Sequence, residues 1–453
     1  MATQFVSDEL VYSKGIMSHA NYKYLRIVPI GSGGQSPTLS LTSTVQTQFE
    51  FPNNVLNLSK SKLCFDLNFA TATGTLCHGV HGNALSLIDR ITLTSRSGSV
   101  LVDIPNCHIF GNMVSVINTK YSDFITKTPI STASMTMSGD AAAAVALTAS
   151  QGTPVGDIVR CNGAANYQIP GNGLVAFTPN TEPVVFYTGV ADRATSISYQ
   201  IELSAFKDTL LEINKNLYFD DNLLLTITWN SANKFSFTTT ATAVLTGGTG
   251  QTITPTLSGL YIYTACETDP TLISQLVSAV NGGFEMIVPF VKCQKYAVAQ
   301  SQGASMQQRI SKSDGSTLLR IYFGIFSNGE VDLLAYNHAD TNLLTYNTMM
   351  DGLRLQDFTL STTDGTAYLC NERNLRNSAM QSLKQYKQNF VHIDNWCGDA
   401  PCNNDDTLLN GLSLDSDRTW SVSTTTTNTA FKYYMFYTTQ KKLVISRGSL
   451  TLV

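Results

Sequence analysis

Short runs of alternating apolar and polar residues dominate the sequence from about Tyr24 onward. In SKLCFDLNFA, the apolar residues Leu63, Phe65, Leu67 and Phe69 occupy every second position. This spacing places one face of a strand in a hydrophobic core. Similar runs, including YLRIVPI, VQTQFEF, LSLIDRITLTS and SVLVDI, follow one another with Gly, Asn or Ser between them. The pattern predicts a chain built mainly of β-strands.

A few segments have helical periodicity instead. In CHIFGNMVSVINTKY, the apolar residues Ile109, Met113 and Val116 recur at helical spacing. In DPTLISQLVSAVNGG, Asp269 is a suitable N-cap, Pro270 suits the first helical position, and two glycines close the segment. The segment SAFKDTLLEIN also predicts a short helix. We therefore expect a few short helices among the strands.

One hairpin pattern occurs twice in the chain. A shift from position 91 to position 358 aligns ITLTSRSGSV at 91–100 with FTLSTTDGTA at 358–367. A predicted helix follows each hairpin, and the second helix is expected at 372–388. That helix should pack on its own domain through three apolar side chains, those of Leu375, Ala379 and Leu383. The repeated order of hairpin and helix predicts a tandem of two similar β domains.

The length of 453 residues also exceeds what one hydrophobic core usually covers. We expect an N-terminal segment at 1–26, a first domain at 27–208 and a second domain at 209–453. Between about 129 and 183 the composition changes to Ala, Thr, Gly, Ser and Pro. This change predicts a long, elaborated loop within the first domain.

The chain carries little charge. Charged residues make up 14% of the sequence, against about 25% in a typical globular domain. The polar surface must therefore consist largely of Thr, Ser, Asn and Gln, of which Thr is well tolerated on a half-buried sheet. A surface so poor in charge favours a protein that is covered by neighbouring subunits.

The balance of charge and the cysteines limit the classes of function further. A net charge of -4 and a pI near 5.9 provide no broad basic field, so we expect no direct nucleic-acid binding. The charged opening MATQFVSDELVYSKG is unlike an export signal, and the apolar run at 141–149 is too short to span a bilayer. The nine cysteines are an odd number and several lie in predicted strands. These features predict a soluble chain without a transmembrane segment that folds in a reducing compartment.

Two Asp-Gly sequences are candidates for the catalytic aspartates of an acid protease. Such an enzyme needs Asp followed by Thr or Ser and then Gly in each of two β lobes, whereas this chain has Asp-Gly-Ser at 314–316 and Asp-Gly-Thr at 364–366. Asp-Gly before a strand is typical of a hairpin turn, because Gly adopts positive φ at no steric cost. We interpret both sequences as turns.

Two groups of Cys and His residues contain possible metal donors. Cys77, His78 and His81 lie together in LCHGVHGN, but no matching pair elsewhere completes a site, so a polar loop between strands is the expected structure. Cys397 and Cys402 in NWCGDAPC would form a loop disulfide, or hold a cation, or be incidental thiols of a surface loop. A cation would draw on three nearby carboxylates, those of Asp399, Asp405 and Asp406. The redox state of the two cysteines stays open.

The remaining candidates do not form a recognisable catalytic or binding motif. Glycine clusters at 31–35 and 247–251 lack the Lys-Ser/Thr that completes a phosphate-binding loop. His108, His338 and His392 have no Ser or Cys partner in a local motif, so structural roles are expected. We therefore assign no catalytic, cofactor-binding or metal-binding residue and do not expect an enzyme.

Several segments resemble one known family. The sequence SISYQIELSAFKDTLLEINKNLYFDDNLLLTITWN resembles the junction between the halves of double jelly-roll major capsid proteins. Three other segments are similar to that family: SLIDRITLTSRSGSVLVDIPNCHIFGNM, LRLQDFTLSTTDGTAYLCNERNLRNSAM and KYYMFYTTQKKLVISRGSLTLV. The resemblance begins near residue 25 and is most like the proteins of small eukaryotic double-stranded DNA viruses, the polinton-like viruses and virophages. The segment 129–183 has no recognised counterpart in the family.

The resemblance implies a fold and a function. The fold would be all-β, two tandem eight-stranded jelly-roll β-sandwiches with a few short helices. The protein would be a structural major capsid protein whose homotrimers are pseudo-hexameric capsomers of an icosahedral capsid, made inside the host cell and located in the virion. Its partners would be itself, neighbouring capsomers, and penton and minor capsid proteins. The loop at 129–183 and the connections near 232–256 would be tower or intersubunit elements.

Two other classes of function remain. A β-sandwich attachment module that binds glycans or a receptor would have a similar composition. Of the tryptophans Trp229, Trp396 and Trp420, only Trp396 lies in an evident loop, where it would serve as an aromatic platform. A β-sandwich hydrolase is the third class, because such enzymes collect their catalytic residues from distant loops.

Overall fold

A computed structural model describes most of the strand-forming part of the chain. The described residues are 22–31, 33, 36–68, 76–81, 84–118, 166–169, 173–176, 184–188, 196–240, 255–299, 304–327, 343–361, 365–375, 391–397, 411–426, 430–446 and 449–453. All statements about the structure refer to these residues.

The strands are numbered in chain order. The first fifteen are β1 (Tyr22–Ile27), β2 (Leu39–Ser40), β3 (Val45–Phe51), β4 (Val55–Asn68), β5 (Leu76–His81), β6 (Ile88–Ser95), β7 (Val100–Pro105), β8 (Asn166–Ile169), β9 (Gly173–Ala176), β10 (Val184–Thr188), β11 (Ser196–Glu202), β12 (Leu217–Tyr218), β13 (Leu223–Trp229), β14 (Ser236–Thr240) and β15 (Thr256–Glu267). The others are β16 (Phe284–Ala299), β17 (Ala304–Ile310), β18 (Thr317–Ser327), β19 (Leu343–Met350), β20 (Leu353–Arg354), β21 (Leu360–Ser361), β22 (His392–Asn395), β23 (Leu412–Ser413), β24 (Arg418–Thr426), β25 (Ala430–Ser446) and β26 (Ser449–Leu452).

The helices are short. They are α1 (Cys107–Asn118), α2 (Ala232–Phe235), α3 (Pro270–Asn281) and α4 (Thr366–Leu375). Single 3₁₀ turns lie at Ala84–Leu87, Leu203–Ala205, Leu210–Glu212 and Lys312–Asp314. The helix predicted in DPTLISQLVSAVNGG is confirmed as α3, and the Asp269 side chain caps it by accepting a hydrogen bond from the Thr271 N–H at 2.8 Å.

Strand pairing repeats one order in the two halves of the chain. In the first half, one sheet has the order β1-β15-β4-β11 and the facing sheet has the order β3-β13-β6-β7. In the second half the corresponding orders are β16-β25-β18-β22 and β17-β24-β19-β20. In each half the chain passes back and forth between two antiparallel sheets, which is the jelly-roll arrangement. The predicted double jelly roll is therefore confirmed, and we call the halves the first and second roll.

Each roll has a core between its two sheets. In the first roll, the inward side chains of β4 include Phe65, which contacts Trp229 of the facing sheet edge to face at 5.1 Å between ring centroids. In the second roll, Phe323 of β18 lies 5.8 Å from Trp420. Both tryptophans are fully buried. The alternation predicted at Leu63, Phe65 and Leu67 is confirmed, since all three side chains are buried.

The expected boundary at 208/209 does not match the strand pairing and is corrected. Strands β13 and β15 follow that boundary in sequence, yet β13 pairs with β3 and β6, and β15 pairs with β1 and β4. The sheets of the first roll therefore run to Glu267, and α3 leads into β16 of the second roll. The prediction is wrong because the helix-like segment SAFKDTLLEIN at 204–214, which the sequence indicates as the link between domains, connects two strands of the first roll, β11 and β12.

The two copies of the repeated sequence have different structures. The first, at 91–100, forms the predicted hairpin from β6 to β7, with Gly98 at a φ of 98°. In the second, β21 is followed by the turn residue Gly365, at a φ of 87°, and then by α4, which begins at Thr366. The second hairpin was therefore wrongly predicted, because Asp-Gly closes a turn before a helix as readily as before a strand. Helix α4 begins six residues earlier than the predicted 372.

Several predictions fall partly or wholly outside the described residues. Ala379 and Leu383, and most of the loop at 129–183, lie there. Within that loop the structure describes the paired strands β8 and β9. The segment near 232–256 contains α2 and β14, and the remainder of it is largely not described.

Gly111 provides a test of how α1 packs on its own roll. A Cβ atom at this position would lie 2.6 Å from Leu85 Cδ1 and 2.9 Å from Leu85 Cβ. Gly111→Ala should therefore lower the free energy of unfolding by about 1–3 kcal/mol through overpacking, as measured by urea denaturation. The control is Gly282→Ala at the end of α3, where the nearest atom would be 3.4 Å away. Equal stabilities for the two variants would contradict this packing.

Candidate functional site

The two rolls meet at a buried aromatic contact. Helix α1 of the first roll places Phe110 against the outer face of the β16-β25-β18-β22 sheet. The Phe110 ring centroid lies 4.8 Å from that of Phe436 and 5.6 Å from that of Tyr322, in a tilted and an edge-to-face arrangement. All three side chains are at most 2% exposed. The second roll's sheet is therefore buried on both of its faces at this point.

A buried ion pair lies in the same interface. Asp208, in the connection after β11, accepts a hydrogen bond of 2.7 Å from Arg320 Nη1. Its other carboxylate oxygen accepts hydrogen bonds from the hydroxyl groups of Tyr322 at 2.6 Å and Thr438 at 3.1 Å. The first roll thus supplies one carboxylate, and β18 and β25 of the second roll supply three donors. We call these residues together with Phe110 and Phe436 the inter-roll joint.

The local structure of the first roll determines where Asp208 points. Its backbone has a φ of 55°, a left-handed conformation, and its N–H donates to Glu212 Oε2 at 2.7 Å. Lys207 Nζ donates to Glu212 Oε1 at 2.8 Å. Thr209 then caps the 3₁₀ turn at Leu210–Glu212. The connection is therefore held in one conformation on both sides of the aspartate.

Burial changes the ionisation of the joint. Burial raises the pKa of Tyr322 well above its ordinary value, and the neighbouring Asp208 carboxylate raises it further. Burial alone would lower the pKa of Arg320, but the charge of Asp208, together with other neighbouring acidic groups, raises the pKa above its ordinary value. The joint therefore contains a neutral tyrosine and a permanently charged arginine, and its hydrogen-bond donors keep their roles at physiological pH.

The equivalent outer face of the first roll is far more exposed. On the β1-β15-β4-β11 sheet, the side chains opposite the core include Tyr24, Arg26, Lys62, Tyr261 and Tyr263. Tyr24 is 50% exposed, and Arg26 is exposed and lies over the Tyr261 ring at 4.6 Å. Lys62 pairs with Glu202 of the same sheet at 3.7 Å. We call this surface the outer face of the first roll.

Cys64 and Tyr261, both on this side of the sheet, are neutral near pH 7. Burial raises the pKa of Cys64 to about 11, although a hydrogen bond with Tyr261 acts in the other direction. Burial, followed by the neighbouring Cys64, raises the pKa of Tyr261 to about 12. The outer face therefore combines uncharged aromatic side chains with separate positive and negative ones.

The helices at equivalent places in the two rolls also differ in exposure. Counted from the first helical residue, Phe110 is the fourth residue of α1 and Leu369 is the fourth residue of α4. Phe110 is 2% exposed and Leu369 is 65% exposed. Ala367 and Asn371 of α4 are fully buried, so they face their own roll and Leu369 points away from it. Helix α4 thus presents an apolar side chain where α1 uses one to bind a sheet.

The candidate protease residue Asp314 has a structural role. It ends the 3₁₀ turn at Lys312–Asp314 as part of a capping box with Ser311. Its carboxylate also forms an ion pair with Lys292 and accepts a hydrogen bond from the Tyr437 hydroxyl at 2.9 Å. Asp364 lies outside the described residues. The predicted turn at 314–316 is confirmed, but it follows a 3₁₀ turn between β17 and β18, which belong to different sheets, so it is not a hairpin turn.

The candidate metal donors are partly described. Cys77, His78 and His81 lie on strand β5, which pairs with β10 and β14. The polar loop expected at these residues is therefore a strand. Cys397 is buried just after β22, and Cys402 lies outside the described residues. Within the described ranges, no three His, Cys, Asp or Glu side chains come together as a metal site.

The candidate histidines and the candidate tryptophan belong to packed regions. His392 is buried, and its Nε2 lies 3.0 Å from Asp394 Oδ1. His108 is buried in α1, and His338 lies outside the described residues. Trp396 is partly buried against the core, and its backbone N–H donates to the Leu319 carbonyl at 3.0 Å. The aromatic platform expected of a glycan-binding module is therefore not formed by Trp396.

Sequence reasoning missed the inter-roll joint. Asp208 and Arg320 are 112 positions apart, so no local pattern connects them. One signal was present on β25, where the run Tyr433, Tyr434, Met435, Phe436 and Tyr437 has no alternation. A continuous apolar strand is typical of burial on both faces. That signal would have located the covered sheet, although not the residues that cover it.

Comparison with known proteins supports the fold alone. No protein-family model and no curated protein matches the chain. Among solved structures, VP54 of PBCV-1, from a crystal structure fitted into a cryo-EM reconstruction of the virophage Sputnik, is similar with a TM-score of 0.54 at 10% identity, over 96% of this chain and 97% of VP54. The quasi-atomic model of the PBCV-1 capsid gives a TM-score of 0.53 at 10% identity, over 96% and 97% of the two chains. The chain has the fold of the double jelly-roll major capsid proteins.

The sequence predicts no transmembrane segment. In the part of the chain that the structure describes, no helix is long and apolar enough to cross a bilayer.

The buried ion pair can be tested by removing its carboxylate. Asp208→Ala leaves Arg320 charged and buried without its partner, so we expect a loss of about 3–5 kcal/mol in the free energy of unfolding. The matched control is Glu285→Ala, which removes an ion pair with Lys442 whose side chains are nearly half exposed. We expect a loss below about 1 kcal/mol for the control. Urea denaturation measures both, and a loss for Asp208→Ala as small as the control's would mean that the pair does not hold the rolls together.

Proposed function

We propose that this protein is the major capsid protein of an icosahedral virus. The observation that carries the proposal is the pairing of two rolls of identical strand order through a buried joint, in a fold shared with VP54 over 96% of the chain. Such a unit has a fixed shape, because Asp208 and Phe110 bind the second roll directionally. A rigid two-roll unit suits a structural role in a shell, in the virion, without a catalytic function.

Three copies would form one capsomer. Each chain contributes two rolls of the same topology, so three chains place six similar rolls in a ring with a pseudo-hexagonal outline. A head-to-tail contact forms a closed ring when the rotation that relates one copy to the next brings the last copy back into contact with the first. Neighbouring capsomers, and penton and minor capsid proteins, would then complete the shell. The low charge content of 14% suits surfaces that become buried between subunits.

The attachment-module alternative has less support. Its best sequence feature was an exposed Trp396, and that side chain is partly buried against the core. The two other tryptophans, Trp229 and Trp420, are fully buried inside their rolls. No aromatic platform of tryptophan is therefore available among the described residues, and the capsid proposal stands as the better one.

The proposal predicts a trimer in solution. Light scattering on the purified full chain should give a mass of about 148 kDa, three times the chain mass of 49.3 kDa. Negative-stain images of the same peak should have a six-sided outline. A mass of 49.3 kDa at every protein and salt concentration, with no larger assembly, would overturn the capsomer proposal.

A further inference from the structure

We propose that the outer face of the first roll is the docking surface for helix α4 of a second copy of this chain, with Leu369 as the central contact. The inference rests on the proposed capsomer and names the residues that join its copies. It follows from the inter-roll joint, which is an example within one chain of a helix bound to the outer face of a sheet.

The two rolls carry the same parts in the same order. Each has a helix after its hairpin or turn, α1 or α4, and each has a sheet with an outer face opposite its core. In the chain, α1 covers the outer face of the second roll. Among the described elements, α4 and the outer face of the first roll are the remaining helix and sheet of this kind; α4 approaches α1 of its own chain but leaves Leu369 exposed. A second copy supplies each of them with its complement.

Leu369 has the position and the orientation that this contact requires. It is the fourth residue of α4, as Phe110 is of α1. The next residue of each helix faces its own roll, since Gly111 lies against Leu85 and Cys370 is partly buried against the hydrophobic core. An aliphatic side chain that is 65% exposed on a helix otherwise held to its roll is suited to a protein contact.

The strand ladders identify the place where Leu369 would bind. In the second roll, Phe110 contacts Tyr322 and Phe436, which are cross-strand partners on β18 and β25. Arg320 pairs with Asn395, the last residue of β22. Tyr322, two residues further along β18, is the next side chain on the same outer face. In the first roll, Lys62 of β4 pairs with Glu202, the last residue of β11. Two residues further along β4 lies Cys64, whose cross-strand partner is Tyr261.

The chemistry of this place suits an aliphatic side chain. The Tyr261 and Tyr263 rings pack edge to face with centroids 4.9 Å apart, and the Arg26 guanidinium lies over Tyr261. Cys64 and Tyr261 are neutral near pH 7, because burial raises their pKa values to about 11 and about 12. Tyr24, on the same face, is 50% exposed. Burying Leu369 here would remove apolar surface of both copies from water.

The first experiment compares Leu369→Asp with Leu353→Asp in the full chain. Leu353, the first residue of β20, is 75% exposed and is not part of the proposed contact. Leu369→Asp should weaken association by about tenfold or more, as expected for the loss of a central anchor, and Leu353→Asp should not. A cooperative thermal unfolding transition in each variant shows that the chain folds; its midpoint can fall in Leu369→Asp because association stabilises the folded chain. Sedimentation velocity over a dilution series measures the association.

The second experiment uses the two different sides of the contact. Tyr24→Asp changes the outer face and leaves α4 intact, whereas Leu369→Asp does the reverse. Each variant alone should be a monomer of 49.3 kDa. Mixed together, they should form a dimer of about 98.6 kDa, twice 49.3 kDa, because the unaltered helix of one binds the unaltered face of the other. An isologous contact through a single surface would give no such rescue.

The outcomes separate this inference from the proposed function. A wild-type trimer that persists in Leu369→Asp overturns the docking site and leaves the capsomer proposal standing. Equal weakening of association by Leu353→Asp would also overturn the docking site. The effect would then come from the added charge and not from the position of Leu369. A wild-type chain that never associates overturns the capsomer proposal itself.

Discussion

The second roll's sheet is too apolar to face water on its outer side, and the arrangement of the whole chain depends on this constraint. Tyr322, Tyr434 and Phe436 point away from the core of their own roll and are fully buried. An exposed patch of this kind is typical of an interaction surface. The first roll covers it with Phe110 and with the connection that carries Asp208. Cohesion of the two rolls is thus a consequence of sheet composition, and the ion pair adds direction. A buried ion pair contributes little net stability, because desolvation offsets the attraction, but its hydrogen bonds fix the position of the partners.

The outer face of the first roll has a more polar composition than that of the second roll. It mixes tyrosines with Arg26 and with the Lys62–Glu202 pair, which lies at the sheet position where the second roll has Arg320. Aromatic side chains with polar tips tolerate both water and a protein partner. Such a surface is compatible with exposure to water and with the proposed contact to a second copy. Replacement of arginine by lysine at this position is not conservative, because lysine lacks the planar group that donates in a fixed geometry.

The sequence predicts the fold well where a single face of an element is buried. Leu63, Phe65 and Leu67 alternate with polar residues, so β4 was recognised, and Asp269 marks the start of α3. It fails where turn chemistry is ambiguous, as at Gly365, where the same residues precede a helix and not a strand. The domain boundary was misplaced because strand pairing is non-local: β15 joins the first roll through partners on β1 and β4. The joint at Asp208 was out of reach for the same reason, since contacts between distant segments leave no local periodicity.

Joining two rolls in one chain makes their interfaces unequal. The inter-roll joint forms at the effective concentration that a covalent connection provides, so its strength is not limited by the amount of protein. Its surfaces never need to be exposed in a folded chain, and they are accordingly apolar and fully buried, as at Phe436. A contact between copies must instead form from surfaces that are stable in water beforehand. The proposed contact between copies accounts for the difference between Phe110 and Leu369, which are equivalent in helix position but 2% and 65% exposed. Tandem duplication of one topology therefore gives a permanent joint within the chain and a complementary pair of weaker, water-tolerant surfaces at the positions left over.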